Sequence, residues 1–305
     1  MGTLRGRDFL DVGDLRAEEL RRILELAHDI KAGRYRAQPL AGRYLALVFQ
    51  KPSHRTRVSF EVGIGRLGGR AIAMGEQDVQ IGVRETITDA ARVLDRYVDG
   101  VVARLHRHSD LEELAAAAEK PVVNALTDRS HPCQVLADLL TMEEALGGLK
   151  ERRLAFVGDG NNVATSLIEA SALLGFPLTV ITPDGHRPPA AVLERARTIS
   201  PDGLRVELSS ELKAAAGADA IYTDVWTSMG QEAERERRRT EFARYQVDRR
   251  LLELAPGAIF MHCLPAHRGE EVTDEVIDGP RSVVFDQAGN RLYAQMALLA
   301  EIFAE

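Results

Sequence analysis

Three features of this sequence predict a two-domain α/β fold, each domain a parallel α/β sheet, with the active-site cleft between them. The 305 residues are 45% hydrophobic and 5% aromatic, which suits two cores of ordinary size better than one. Short apolar runs alternate with stretches of helical periodicity, the sequence form of parallel strands joined by crossover helices. Gly147-Gly148 then breaks the pattern before a second such series begins. The expected division is a first domain of residues 1–146, a second of 147–289, and a C-terminal helix, 290–305, returning to the first.

In the first series Leu15 to Ile30 spaces its apolar residues as an amphipathic helix, and Tyr44 to Phe49 reads as a strand. Arg55 to Leu67 follows as a helix, Arg70 to Met74 as a strand, Thr86 to Tyr97 as a helix and Gly100 to Arg104 as a strand. Asp110 to Ala118 is the next helix, Val122 to Ala125 the next strand, and a helix runs from Pro132 to about Leu146. The second series has strands near Leu154 to Val157, Leu178 to Ile181, Leu204 to Leu208, Ala220 to Val225, Ala258 to Cys263 and Val283 to Phe285. Helices fill the gaps, and the last runs from about Asn290 to Phe303. Glu232 to Arg244 mixes charges of both signs, as a solvated helix or mobile loop does.

A formal charge of −7 argues against a general nucleic-acid binder, whose affinity rests on a basic surface. No apolar run approaches the roughly 20 residues of a membrane span, and Met1 to Leu10 is polar and basic rather than signal-like, so the expected location is the cytoplasm. The two cysteines, Cys133 and Cys263, are far apart in sequence, and in that compartment no disulfide is expected.

In open α/β sheets, ligands bind beyond the carboxyl ends of the strands, where loops and helix N-termini converge. Six polar clusters fall at such ends: Ser53 to Arg57, Arg104, His131 to Gln134, Asn161-Asn162, Asp224 to Gly230, and His262 to Pro265. Ser53-His54-Arg55-Thr56-Arg57 opens a helix, whose first N–H groups and positive dipole end make an anion site, with Arg55 adding a fork that matches phosphate. The same residues also read as an ordinary N-cap and basic turn, with Arg57 turned away into a salt bridge. Arg104 closes a buried strand and needs a carboxylate or a bound anion there. His131 and Gln134, three apart on one face of a first helical turn, suit a polar carbonyl group.

Gly158-Asp159-Gly160 resembles a dinucleotide turn, but Val163 stands at the third glycine position and no acidic residue closes the next strand, so no NAD is expected. His262, Cys263 and His267 lack the spacing of a zinc site, and neighbours on a strand point to opposite faces, which also opposes His262 acting as a base for Cys263. No metal is expected.

Together these clusters resemble the aspartate and ornithine carbamoyltransferase family, from about Phe9 to Phe303. The family's phosphate motif is Ser-Thr-Arg-Thr-Arg, against Ser53-His54-Arg55-Thr56-Arg57 here. His131-Pro132-Cys133-Gln134, Asp224 with Ser228-Met229-Gly230, and His262-Cys263-Leu264-Pro265 are similar to the ornithine branch. The resemblance implies transfer of a carbamoyl group from carbamoyl phosphate to the side-chain amine of L-ornithine, giving L-citrulline and phosphate, with no cofactor or covalent intermediate. Putrescine or an acylated ornithine is the alternative acceptor.

By the same resemblance Ser53, the His54 N–H, Arg55, Thr56 and Arg104 hold the phosphate, and His131 and Gln134 the carbamoyl group. Gln80 completes the phosphate site from a neighbouring subunit of a trimer. Asn162, Asp224, Ser228, Met229, Cys263 and Leu264 bind ornithine, and Arg291 reaches the carbamoyl oxygen. Arg55, Arg104, His131, Cys263 and Arg291 form the catalytic set. The chain departs from the family at His54, where threonine is usual, and at Gly289, where glutamate is usual. The first loses a hydroxyl donor but keeps the backbone N–H; the second is expected to loosen the placement of Arg291.

Overall fold

The computed structural model describes residues 4–51, 53–75, 84–227 and 232–304. The chain forms two compact units, Met1–Ala137 with Asn290–Glu305, and Asp138–Gly289.

The first unit opens with α1 (Ala17–Lys31), which buries Leu20, Ile23, Leu24, Ala27 and Ile30 along one stripe. Strands β1 (Tyr44–Phe49), β2 (Arg70–Met74), β3 (Gly100–Arg104) and β4 (Val122–Leu126) alternate with α2 (His54–Arg66), α3 (Ile87–Leu94) and α4 (His108–Ala117). The four strands pair in the order β2-β1-β3-β4, all parallel. β1 and β3 are central and almost continuously apolar, as strands covered on both faces must be. Their order places the switch point, where successive crossovers leave in opposite directions, between β1 and β3. Phe49 and Arg104 are partners in the ladder there, so the turn into α2 and the end of β3 emerge side by side.

Helix α5 (Pro132–Leu146) follows β4, and the two units divide within it; the expected boundary at 146/147 falls at its C-terminal end. The second unit holds β5 (Leu154–Val157), α6 (Asn162–Leu174), β6 (Leu178–Ile181), α7 (Ala190–Ile199), β7 (Val206–Ser209) and β8 (Ala220–Thr223). It continues with α8 (Arg235–Phe242), α9 (Arg249–Glu253), β9 (Ile259–His262) and α10 (Asp274–Ile277), and α11 (Val284–Ile302) ends in the first unit. The five strands pair in the order β7-β6-β5-β8-β9, again all parallel, with the switch point between β5 and β8.

Three expectations are corrected. Val283 to Phe285 is not a strand: the contact with β9 here is an isolated bridge between Phe260 and Ser282, the Val283 N–H bonds the Phe260 carbonyl at 3.0 Å, and α11 starts at Val284. A run of three apolar residues has no period of its own, and the helix that follows captures it. For the same reason the last helix starts at Val284 rather than near Asn290. Residues 232–244 are not simply solvated, because α8 turns Arg238 and Phe242 into the interior.

Candidate active site

At the switch point of the first unit, Ser53 caps α2, its Oγ accepting from the Thr56 N–H at 3.4 Å. Helical geometry aims the N–H groups of this first turn beyond the helix end. His54 is exposed, Ser53 and Arg55 are half-buried, and Thr56 is buried. Arg57 turns away and pairs with Glu61 at 2.8 Å, the salt bridge that was its alternative reading. A pocket of about 320 Å³ lies beside this turn, lined by Lys51, Ser53, His54 and Arg57 with Phe49 and Met74.

Arg104 and Arg291 are buried in the same unit. Arg291 donates to the Gln134 carboxamide oxygen at 3.0 Å and to the Thr56 hydroxyl at 3.1 Å, joining α11 to α5 and α2. His131 sits among them. Burial, followed by the charges of Arg291, Arg104 and Arg55, pushes its imidazole well below the usual histidine range, so it is neutral at physiological pH. The cluster therefore combines fixed positive charge with neutral polar groups, a combination suited to an anion that carries a carbonyl. Cys133 on α5 donates its thiol to the Asn124 carbonyl at 3.2 Å, and burial pushes its pKa up to about 12, which makes it an inert packing residue.

The second switch point carries a different set. Asn161 caps α6 through its side-chain oxygen, which accepts from the N–H groups of Val163 and Ala164 at 3.0 and 3.2 Å. Its amide donates to Asp224 Oδ2 at 2.7 Å. Asp224 Oδ1 accepts from the Val225 N–H at 2.8 Å and from the Cys263 thiol at 2.9 Å. The carboxylate is buried and thus oriented from three sides. Asn162 opens α6 and Leu264 follows Cys263, both half-buried.

His262 takes no part in activating Cys263. Its Nδ1 accepts from the Leu264 N–H at 2.8 Å, so Nε2 carries the proton and donates to Glu271 at 3.1 Å. Glu271 also accepts from the His267 N–H at 2.6 Å. The His262 N–H donates to the Gln287 oxygen at 2.9 Å, and the Gln287 amide donates to Asp138 at 2.7 Å. Asp224, His262 and Cys263 bring one ligand atom each within 4.8 Å of the others, as do His267, Glu270 and Glu271. In the first group both imidazole nitrogens are already engaged. The Gly158 to Gly160 turn is a packing device: a Cβ on Gly160 would lie 2.3 Å from the Pro188 nitrogen.

In the first unit the structure thus brings together Thr56, Gln134 and Arg291, with Arg55 and Arg104 acting on His131. In the second it brings together Asp224 and Cys263. Gln80, Ser228 and Met229 lie outside the described residues. Sequence reasoning missed Asn161 as the partner of Asp224, although an asparagine one residue before an apolar helix is an N-cap signal. It also missed Glu271, Gln287 and Asp138. Gly289 lies within α11, two residues before Arg291, which donates to Gln134 and Thr56.

Residues 7–144 match the family model for the carbamoyl-P binding domain of aspartate/ornithine carbamoyltransferase, and residues 150–302 match that for its Asp/Orn binding domain. An ornithine carbamoyltransferase of Symbiobacterium thermophilum is 51% identical over 311 residues, covering 100% of both chains. An anabolic ornithine carbamoyltransferase of Pyrococcus furiosus is 52% identical over 304 residues, 98% of this chain and 96% of that one. A solved structure of ornithine carbamoyltransferase from the same archaeon superposes with a TM-score of 0.95 at 51% identity, over 99% of each chain. The anabolic enzyme of Campylobacter jejuni gives 0.91 at 34% identity, over 96% of this chain and 98% of that one.

Proposed function

This chain belongs to the aspartate/ornithine carbamoyltransferase family and transfers the carbamoyl group of carbamoyl phosphate to the side-chain amine of L-ornithine, and we propose that its two switch points divide that work. The first holds carbamoyl phosphate. Ser53, the His54 N–H, Arg55, Thr56 and Arg104 take the phosphate, while His131 and Gln134 take the carbamoyl group. The second holds ornithine through Asn162, Asp224, Ser228, Met229, Cys263 and Leu264.

One observation carries this division: a buried imidazole kept neutral beside three guanidinium groups. Such a group can hydrogen-bond a carbonyl without adding a titrating charge, while the arginines oppose the charge of the phosphate. The neutral amine of ornithine attacks the carbamoyl carbon, and a C–N bond forms. The carbonyl oxygen becomes an oxyanion facing Arg104, His131 and Arg291. The C–O bond to phosphate then breaks, phosphate leaves with the bonding pair, and nitrogen loses a proton to give L-citrulline. An amine of lysine type has a reference pKa of about 10.4, so it must first be deprotonated; the Asp224 carboxylate and the Cys263 thiol orient it for attack rather than lower that pKa. Alignment and fixed donors supply the acceleration.

We further infer a cytoplasmic homotrimer that makes citrulline for arginine biosynthesis, with Gln80 supplied to the phosphate site by a neighbouring subunit. Among the described residues no helix is long and apolar enough to cross a membrane. Val58 and Val62, one turn apart on α2, and Ile72 on the edge strand β2 are exposed, an apolar surface that a second copy would cover.

Carbamoyl phosphate offered with ornithine, aspartate, putrescine and N-acetylornithine, with phosphate release and ureido product measured, tests the assignment. Ornithine should be preferred, and comparable turnover of any other amine overturns it.

A further inference from the structure

Helix α8 holds a buried cation that the reaction does not touch. Arg238 is 4% exposed, in a run of residues that is otherwise mostly solvated. Its Nε donates to the Trp226 carbonyl at 2.5 Å, and one terminal nitrogen donates to the Asp159 carboxylate. The other lies 3.5 Å from His186 Nδ1, and His186 Nε2 meets Glu241 at 2.8 Å. The guanidinium carbon stands 5.1 Å from the centre of the buried Phe242 ring, which packs 6.0 Å from Trp226 and 4.6 Å from His186.

What Arg238 holds are two loops that flank Asp224. Trp226 is two residues beyond it. Asp159 lies in the β5–α6 turn, where its carbonyl accepts from the Asn161 N–H at 2.7 Å, and Asn161 in turn bonds Asp224 at 2.7 Å. The same turn is pressed on the 186–188 segment, with the Gly160 N–H donating to the His186 carbonyl at 2.9 Å. The two loops are thus joined at one point by Asn161 and Asp224, and at a second by Arg238.

We propose that Arg238 is a positioning residue for ornithine, a brace that fixes Asn161 and Asp224 from behind the site without touching substrate. The proposal rests on the assignment of Asp224 to ornithine. A buried ion pair is weak as a source of stability, because desolvation offsets most of its attraction. Burial does push the Asp159 carboxyl above its ordinary range, with Arg238 and His186 pulling it back. Such a pair is better understood through the geometry it enforces.

The test compares Arg238→Gln, Arg238→Lys, Asp159→Asn and Asp224→Asn with wild type, measuring KM and kcat for each substrate and carbamoyl phosphate binding by calorimetry. Arg238→Gln should raise the ornithine KM by about ten-fold or more, since displacements near 1 Å in a reacting pair are this costly. Arg238→Lys, which keeps the charge, should restore part of the loss. Carbamoyl phosphate affinity should stay within about two-fold, because its ligands are not partners of Arg238. A loss that falls equally on both substrates, or an ornithine KM unchanged in Arg238→Gln and Asp159→Asn, overturns the proposal. If Arg238→Gln does not fold, Arg238→Lys and the near-isosteric Asp159→Asn decide on the same criterion. Asp224→Asn separates the two levels. If it leaves the ornithine KM unaltered, the binding assignment fails and takes the brace with it; if it alone raises KM, only the brace fails.

Discussion

At the switch point of the first sheet, guanidinium groups gather round an imidazole held neutral. At that of the second, a carboxylate receives bonds from a carboxamide, a thiol and a main-chain N–H. Both sit where crossovers diverge, so the fold supplies the place and the side chains supply the sign. The means of positioning differ as well. In the first unit Arg291 is both a candidate ligand and the link between Thr56 and Gln134, so site and support are one. In the second, the support lies behind the site, in Glu271, Gln287 and Arg238. Single substitutions in the first unit should therefore strike chemistry directly, whereas in the second they should strike stability or one substrate.

The largest effect should come from Arg104→Gln, which removes a buried cation from the carbamoyl phosphate side. Turnover should fall by about 10²- to 10³-fold, as for other single donors to a developing oxyanion, and a loss under ten-fold in steady-state assays would remove Arg104 from the catalytic set. Next is Glu271→Ala, which leaves the buried His262 Nε2–H and the part-buried His267 N–H without their acceptor. About 2 to 5 kcal/mol of stability should be lost in urea titrations, and an unchanged midpoint would mean that the loop does not depend on this carboxylate.

His131 gives the first unit a dependence on pH. Its folded pKa is lowered, so between the unfolded value near 6.5 and that lowered value the unfolded chain binds a proton that the native state does not. Stability is full above the unfolded value and falls as pH drops through this window, by at most about 1.4 kcal/mol per pH unit. The stability gap between wild type and His131→Asn should narrow from pH 7 to pH 5, and a constant gap counts against a neutral imidazole. The smallest effect concerns His54, exposed on the first turn of α2. His54→Thr should tighten carbamoyl phosphate by about 0.5 to 1.5 kcal/mol, the worth of one hydrogen bond, whereas weaker binding would make the imidazole a ligand.

The strand ends and the polar residues beyond them were legible because a period-2 or continuous apolar run announces a strand, and the polar cluster after it has no place in the core. For Arg57 the alternative of a salt bridge on its own helix was open on general grounds, and the structure takes it. The supports were not legible. Arg238 finds Asp159 across 79 residues and Gln287 finds Asp138 across 149, and no local pattern encodes such pairings. In a strongly charged segment the buried arginine looks like its solvated neighbours. The start of α11 was misplaced because three apolar residues fit a strand or a helical turn equally well.

The committed tautomer of His262 has a chemical consequence of its own. A cysteine next to a histidine is a familiar beginning for a thiol nucleophile, which needs only an imidazole with an open lone pair to draw off its proton. Here that lone pair accepts the Leu264 N–H, and the remaining ring proton is given to Glu271. The sulfur is directed to Asp224 instead. A thiol that donates to a carboxylate and faces no open imidazole stays a hydrogen-bond donor rather than a nucleophile, which fits a transfer that proceeds without a thioester.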